Sequence, residues 1–231
     1  MSIADLKKAV CDANLDLVFH GLVKFTFGNA SAIDREAGRV VIKPSGVPYE
    51  KMKPRDMVVV DLAGQVVEGD LKPSVDLPTH LALYEAFPSI GGIAHAHSHY
   101  ATAWAQACRA IPCLGTTHAD YFRGEVPVTT PLTHEDVNGD YEHAIGASIA
   151  RAFTGRDPLE CSAVLVANHA PFAWGATVAD AVEHARVLEE AAALALHTLA
   201  ISPGAPPVPG HLLDKHFLRK HGNAAYYGQR R

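Results

Sequence analysis

The sequence predicts a three-layer α/β/α sandwich around a central, largely antiparallel sheet. Two observations lead there. Short stretches of period-two hydrophobicity follow one another in meander order, and longer stretches of helical period flank and follow them. At 231 residues, 48% hydrophobic and 19% charged, the chain can fill one large core and reads as a single domain over 1–231.

Ile3, Leu6, Val10, Ala13 and Leu17 share one face at helical spacing, so 3–20 is expected to be an amphipathic helix stopped at Gly21. The period then changes to two. Val23, Phe25 and Phe27 alternate with Lys24 and Thr26, which reads as a strand running up to Gly28-Asn29-Ala30-Ser31. A second strand over 39–43 follows the turn-like 34–38, and 57–62 with 65–68 forms a hairpin about Ala63-Gly64. Helix 79–87, strand 91–97 and an alanine-rich helix over 100–108 come next, then a weak strand at 126–129. A helix lies within 134–153, interrupted in pattern by Gly139 and Gly146. The apolar run 161–167 is a buried strand, and Thr177 with Asp180 forms a capping box that opens a helix to about residue 200. Pro203 to Pro209 is a stiff linker, and the tail over about 211–231 keeps enough apolar and aromatic residues to pack against something.

A net charge of −5 gives no basic footprint for nucleic acid or an anionic membrane. No apolar run approaches the roughly 20 residues of a membrane span. Cys11, Cys108, Cys113 and Cys161 form no C-x-x-C pair, and no signal segment precedes the first helix. A cytoplasmic protein with reduced thiols is the expectation.

Chemistry is suggested by Gly91-Gly92-Ile93-Ala94-His95-Ala96-His97-Ser98-His99. Residues two apart on a strand point the same way, so His95 and His97 offer two imidazoles to one point. The alternative is a histidine-rich surface strand, in a chain with 14 histidines. His169, just after the buried strand, is the best third ligand, although it also reads as a turn residue bonded to backbone. Asp76 is a candidate fourth ligand that equally resembles a helix N-cap ahead of Pro78. Three imidazoles and a carboxylate suit Zn²⁺, with Mn²⁺ or Co²⁺ as alternatives. Residue types alone lead to a metal enzyme and no further.

Gly28-Asn29-Ala30-Ser31 and Lys43-Pro44-Ser45-Gly46 supply amides, hydroxyls and an ammonium of the kind that hold a phosphate, though ordinary turns explain them as well. Lys43-Pro44-Ser45 and Lys72-Pro73-Ser74 echo one another without forming a repeat.

Taken together and in order, these motifs resemble the class II aldolase/epimerase and adducin-head family. The resemblance adds Pro73-Ser74-Val75-Asp76-Leu77-Pro78-Thr79-His80, Gly115-Thr116-Thr117-His118-Ala119-Asp120-Tyr121-Phe122 and His169-Ala170-Pro171-Phe172-Ala173-Trp174-Gly175. It ends with Leu213-Asp214-Lys215-His216 and Ala225-Tyr226-Tyr227-Gly228-Gln229, so it covers nearly the whole chain. It implies a metal held by His95, His97 and His169 with Asp76 close enough to ligate. It also implies phosphate contacts from Asn29, Lys43, Ser45, Gly46 and Ser74.

The later motifs resemble the family's epimerase branch, which interconverts L-ribulose 5-phosphate and D-xylulose 5-phosphate in arabinose catabolism. Carbon 4 of that ketose has no acidic hydrogen, so inversion goes by retro-aldol C3–C4 cleavage. Glycolaldehyde phosphate rotates and re-adds to an enediolate stabilised by Zn²⁺. Asp120 and Tyr227 are implied as the proton shuttles on the two faces, supported by His216 and reaching the metal of a neighbouring chain in a homotetramer, with the tail at the interface.

Two rival readings are an aldolase on a related, even unphosphorylated, ketose and a non-catalytic adducin-head-like interaction domain, which is expected to lack the metal histidines. One departure stands out: Val75 occupies the second serine of the family's Lys-Pro-Ser-Ser-Asp. A hydrogen bond to a charged group is worth about 1.5–3 kcal/mol, so its loss weakens phosphate binding by roughly 10–100-fold unless the Val75 amide serves instead.

Overall fold

The computed structural model describes residues 2–222 and 225–227, which leaves Gly228 and Gln229 of the final motif outside the described residues. Seven strands form one sheet: β1 (Gly28–Asp34), β2 (Arg39–Ile42), β3 (Val58–Asp61), β4 (Val66–Glu68), β5 (Gly92–Ala96), β6 (Ala163–Leu165) and β7 (Pro171–Gly175). Their order is β4-β3-β2-β1-β5-β7-β6, and every neighbouring pair is antiparallel, as expected.

Strand alternation sends side chains to two cores. Val41 and Val59 face the layer of α1 (Ile3–Phe19), whose Leu6, Val10 and Leu17 are buried there. Val40, Ile42, Val58, Val60 and Ile93 face the opposite layer, which holds α2 (Leu77–Ala86), α3 (His99–Gln106) and, beyond α4 (Thr116–Ala119) and α5 (His134–Asn138), α6 (Tyr141–Ala152). The helix α7 (Val178–Ile201) is opened by the expected capping box, and its first turns bury Val178, Ala181 and Val182 against the α1 layer. The last helix, α8 (Gly210–His221), buries Phe217 and packs on α4 of its own chain.

Several expectations need correction. Residues 23–27 are loop, and the strand begins where a turn was expected, at Gly28. Phe25 sits at φ +55°, outside the β region, and is 86% exposed, so the alternation there belongs to a loop and not to a half-buried strand. Residues 126–129 make isolated bridges from Val126 to Ile111 and from Val128 to Leu165 rather than a strand. Gly139 separates α5 from α6, whereas Gly146 lies inside α6 because a Cβ there would meet the Cβ of Ala82 at 2.6 Å where α2 and α6 cross. The strand β7 had no expectation attached to it. It is buried along its whole length, so it has no polar face to give a period of two. All four cysteines are free thiols, and among the described residues no helix is long and apolar enough to cross a membrane.

Candidate metal centre and anion cradle

His95 is the penultimate residue of β5, and His97 follows just beyond the strand. His169 arrives from the turn between β6 and β7, where Asn168 adopts φ +62°, a left-handed conformation asparagine tolerates better than most residues. That turn is closed by Val166 N–H donating to Ala170 O, and Asn168 N–H ties it to Ala105 O of α3. The three rings meet in a near-equilateral triangle, with centroids 5.1 Å (His95–His97), 5.2 Å (His95–His169) and 5.0 Å (His97–His169) apart. One nitrogen from each lies within 4.8 Å of the other two, and this is the metal-ligating cluster found among the described residues.

Orientation comes from outside the triangle. His95 bonds through Nδ1 to Pro171 O at 2.9 Å and stacks on Phe172 at 4.1 Å, which turns Nε2 inward. Tyr141 OH lies 3.1 Å from Nδ1 of His169, and Nε2 of His169 is buried without a partner. Burial, followed by the neighbouring rings of His95 and His97, pushes His169 down to about 4 and keeps it a neutral donor. His97 is likewise lowered by burial and by His95. Three imidazoles, one with an orphaned nitrogen aimed at the others, fit a divalent ion of the zinc type. His99 shares the parity of His95 and His97, but the chain has turned into α3 there and its ring lies exposed beside Tyr100.

Asp76 stands at the start of α2 but makes no side-chain cap bond; its carboxylate instead accepts Asn29 Nδ2–H at 2.6 Å. It lies outside the 4.8 Å ligand set. Burial raises its carboxyl, and the nearby His95 and His80, the Asn29 bond and His169 more than reverse this, so it stays ionised beside the trio.

Sheet register joins this centre to the anion groups. Asn29 of β1 lies directly opposite His95 of β5, and its Nδ2 also reaches Ser74 Oγ at 3.1 Å. The two echoing segments are paired: Pro44 and Pro73 form an antiparallel bridge, Ser45 N–H donates to Lys72 O, and Ser74 N–H donates to Lys43 O. Lys43 is only 3% exposed; among the described residues its ammonium makes one hydrogen bond (to Pro44 O, 3.3 Å), and it lies 4.7 Å from the ring of Tyr49. A buried ammonium with donors to spare is a receptor for an anion. Gly46 turns the chain away at φ +70°, and Val75 is 66% exposed between Ser74 and Asp76.

A second cluster forms on α4 and α8. Arg219 grips Asp120 bidentately (Nε–Oδ1 3.0 Å, Nη2–Oδ2 2.8 Å), and His216 Nδ1 sits 3.0 Å from Oδ1. Partial burial raises the Asp120 carboxyl, but the Arg219 and His216 bonds outweigh it and hold it below the usual range. The Arg219 guanidinium also lies 4.5 Å from the ring centroid of Tyr227. Asp120, His216 and Tyr227 are thus brought together, while among the described residues no hydrogen bond or ring contact links them to the His95–His97–His169 triangle of the same chain.

Sequence spacing missed His80, Tyr141 and Arg219, because each acts through a contact between distant elements. His80 is wholly buried, bonded at Nδ1 to Ser31 Oγ at 2.7 Å, and burial pushes it down to about 3. His118 bonds Gly124 O at 2.7 Å and is pushed by burial to about 4. Both take up protons near 6.5 once unfolded, so the unfolded chain binds more protons below that pH. Stability is therefore full above pH 6.5 and is lost as pH falls towards 4, at about 1.4 kcal/mol per pH unit for each site. Urea melts of metal-free protein are expected to show a lower midpoint at pH 5 than at pH 7. Equal midpoints would mean these rings charge in place.

The chain belongs to the family described as class II aldolase and adducin N-terminal domain, whose model matches residues 8–196. It is 56% identical over 225 residues, 97% of this chain and 99% of the relative, to the L-ribulose-5-phosphate 4-epimerase UlaF of Salmonella paratyphi A. Among solved structures it is similar to an L-fuculose 1-phosphate aldolase, with TM-score 0.76 and 28% identity, covering 92% of this chain and 94% of that one. The L-fuculose-1-phosphate aldolase from Thermus thermophilus is also 28% identical, with TM-score 0.69 over 89% of this chain and 100% of that chain.

Proposed function

We propose that this chain is a metal-dependent sugar-phosphate 4-epimerase interconverting L-ribulose 5-phosphate and D-xylulose 5-phosphate, as a cytoplasmic homotetramer. The observation that carries the reading is the placement of His95, His97 and His169 one strand away from the anion cradle of Asn29, Lys43 and Ser74. Relatives 56% identical to it and named for that reaction support the choice of substrate.

His95, His97 and His169 would hold a divalent ion (Zn²⁺, alternatively Mn²⁺ or Co²⁺), which when bound would supply Lewis-acid stabilisation for negative charge on the sugar oxygens. Asp76, outside the ligand trio, adds its charge beside it. Lys43, Asn29, Ser74, Ser45 and the Gly46 amide hold the phosphate, so glycolaldehyde phosphate is retained while its aldehyde turns over. Asp120 and Tyr227, from a neighbouring subunit, exchange the C4 hydroxyl proton on opposite faces, with Arg219 and His216 fixing Asp120.

Incubation with L-ribulose 5-phosphate is expected to yield D-xylulose 5-phosphate and to stop when a chelator has removed the metal. Stoichiometric free glycolaldehyde phosphate would make the chain an aldolase. Absence of both turnover and ion binding would point to an adducin-head-like interaction domain.

The exposed Val75 gives a specificity prediction. Val75→Ser is expected to lower KM for the phosphorylated ketose by about 10–100-fold, the worth of one hydrogen bond to a charged group, with kcat little changed. KM for unphosphorylated L-ribulose should stay where it is. An unchanged KM for the phosphate ester would mean that the Val75 amide already does the work.

A further inference from the structure

Two of the three imidazoles are oriented by partners of their own, His95 by Pro171 O and His169 by Tyr141 OH. For His97 no side-chain hydrogen bond is found among the described residues. Its aim rests on the Phe27 ring 5.9 Å away and on the backbone, where the chain leaves β5, passes Ser98 and enters α3.

That junction is capped from a distance. Ser98 is the N-cap of α3 but makes no side-chain cap bond. The free amides are taken instead by Glu189 of α7, which accepts Tyr100 N–H at 2.8 Å through Oε1 and Ala101 N–H at 2.9 Å through Oε2. A carboxylate at a helix N-terminus receiving two N–H bonds is a charge-assisted cap aligned with the helix dipole.

The same helix grips the other end of β5. A Cβ on Gly92 would fall 2.3 Å from the Val178 backbone, so α7 begins in direct contact with the first residue of the strand. From Val178 to Glu189 the helix advances about 17 Å at 1.5 Å per residue. From Gly92 to His97 the chain advances about 17 Å at 3.3 Å per residue. The helix is a splint as long as the segment it supports, fastened at Gly92 and again three residues past His97.

We propose that Glu189 is a positioning residue for the metal centre, holding His97 on target by capping α3 at the exit of β5. This rests on the triangle being a metal site, and the experiment separates the two ideas.

Apo-protein of the full chain is titrated with Zn²⁺ against a chromophoric chelator, and the Co²⁺-substituted protein is examined by visible absorption. Glu189→Ala and Glu189→Gln are expected to weaken Zn²⁺ binding by about 10–100-fold, as removal of outer-sphere partners does elsewhere, and to shift the Co²⁺ bands. Trp104→Phe serves as the structural control. It deletes the 3.0 Å bond from Trp104 Nε1 to Ala192 O, another tie between α3 and α7, away from the His97 turn. This variant should lower the melting temperature without changing Zn²⁺ affinity. His97→Ala reports on the site itself and should lose tight binding.

Wild-type affinity and an unshifted Co²⁺ spectrum in both Glu189 variants, with His97→Ala impaired, would overturn the positioning role alone. Equal losses in Trp104→Phe and the Glu189 variants would reduce Glu189 to general stability and also overturn it. Undiminished binding in His97→Ala would remove the metal-centre reading and the proposal with it. If Glu189→Ala fails to fold, the isosteric Glu189→Gln, which keeps an acceptor and loses the charge, decides the question.

Discussion

His95→Ala is expected to abolish divalent-ion binding and to lower turnover by about 1,000-fold or more. His95 is 2% exposed, its ring stacked on Phe172 and fixed by Pro171 O, so its loss leaves two imidazoles where the cluster had three. In the proposed reaction a bound ion would contribute several kcal/mol by stabilising the charge that C3–C4 cleavage releases, and each 1.36 kcal/mol is a factor of ten in rate. The substitution also leaves a small void and an unpaired carbonyl, at about 1–3 kcal/mol of stability, so the variant should still fold. Metal content by elemental analysis and turnover at saturating Zn²⁺ check the prediction. A folded variant that keeps both would end the metal-centre assignment.

The second large effect concerns two inactive proteins that regain activity when combined. Asp120→Asn, which removes a group proposed above to shuttle the C4 hydroxyl proton, should cost about 100–10,000-fold in turnover. His97→Ala should be inactive for lack of metal. Within one chain Asp120 belongs to a cluster with Arg219, His216 and Tyr227, and the imidazole triangle has Asp76 as its charged neighbour instead. In a cyclic tetramer with sites between adjacent subunits, an equal mixture places an intact triangle against an intact Asp120 at about a quarter of the interfaces. Co-refolded variants should recover activity towards that fraction. Failure to recover, with mixed oligomers demonstrated, would mean that each chain completes its own site.

The hairpins on one side of the sheet were legible because one glycine-marked turn follows another and each strand alternates. The triangle was legible in part because extended backbone sends His95 and His97 to one side, although a histidine-rich surface strand would read the same until His169 joined them. Other features were not. The alternation of 23–27 mimics a strand, yet Phe27 is spent against the His97 ring at 5.9 Å. The segment Pro171–Gly175 carries no period because both its faces are buried. Glu189 and Tyr141 act on partners 88–89 and 28 residues away, a relation that local spacing cannot express. Asp76 looked like a cap by position, and only the packed structure shows its carboxylate turned to Asn29.

The bridge between Pro44 and Pro73 has a practical consequence for remodelling this protein. It closes the chain on itself, so everything between residues 46 and 71 is an excursion that leaves the anion cradle and returns to it. The tip of that excursion, the turn after Asp61 leading to β4, is exposed and lies at the outer edge of the sheet. New termini or an inserted reporter module placed at Ala63-Gly64 should therefore leave the pairing of Lys43 with Ser74 undisturbed, because the clasp, and not the hairpin beyond it, carries the backbone bonds between those two segments.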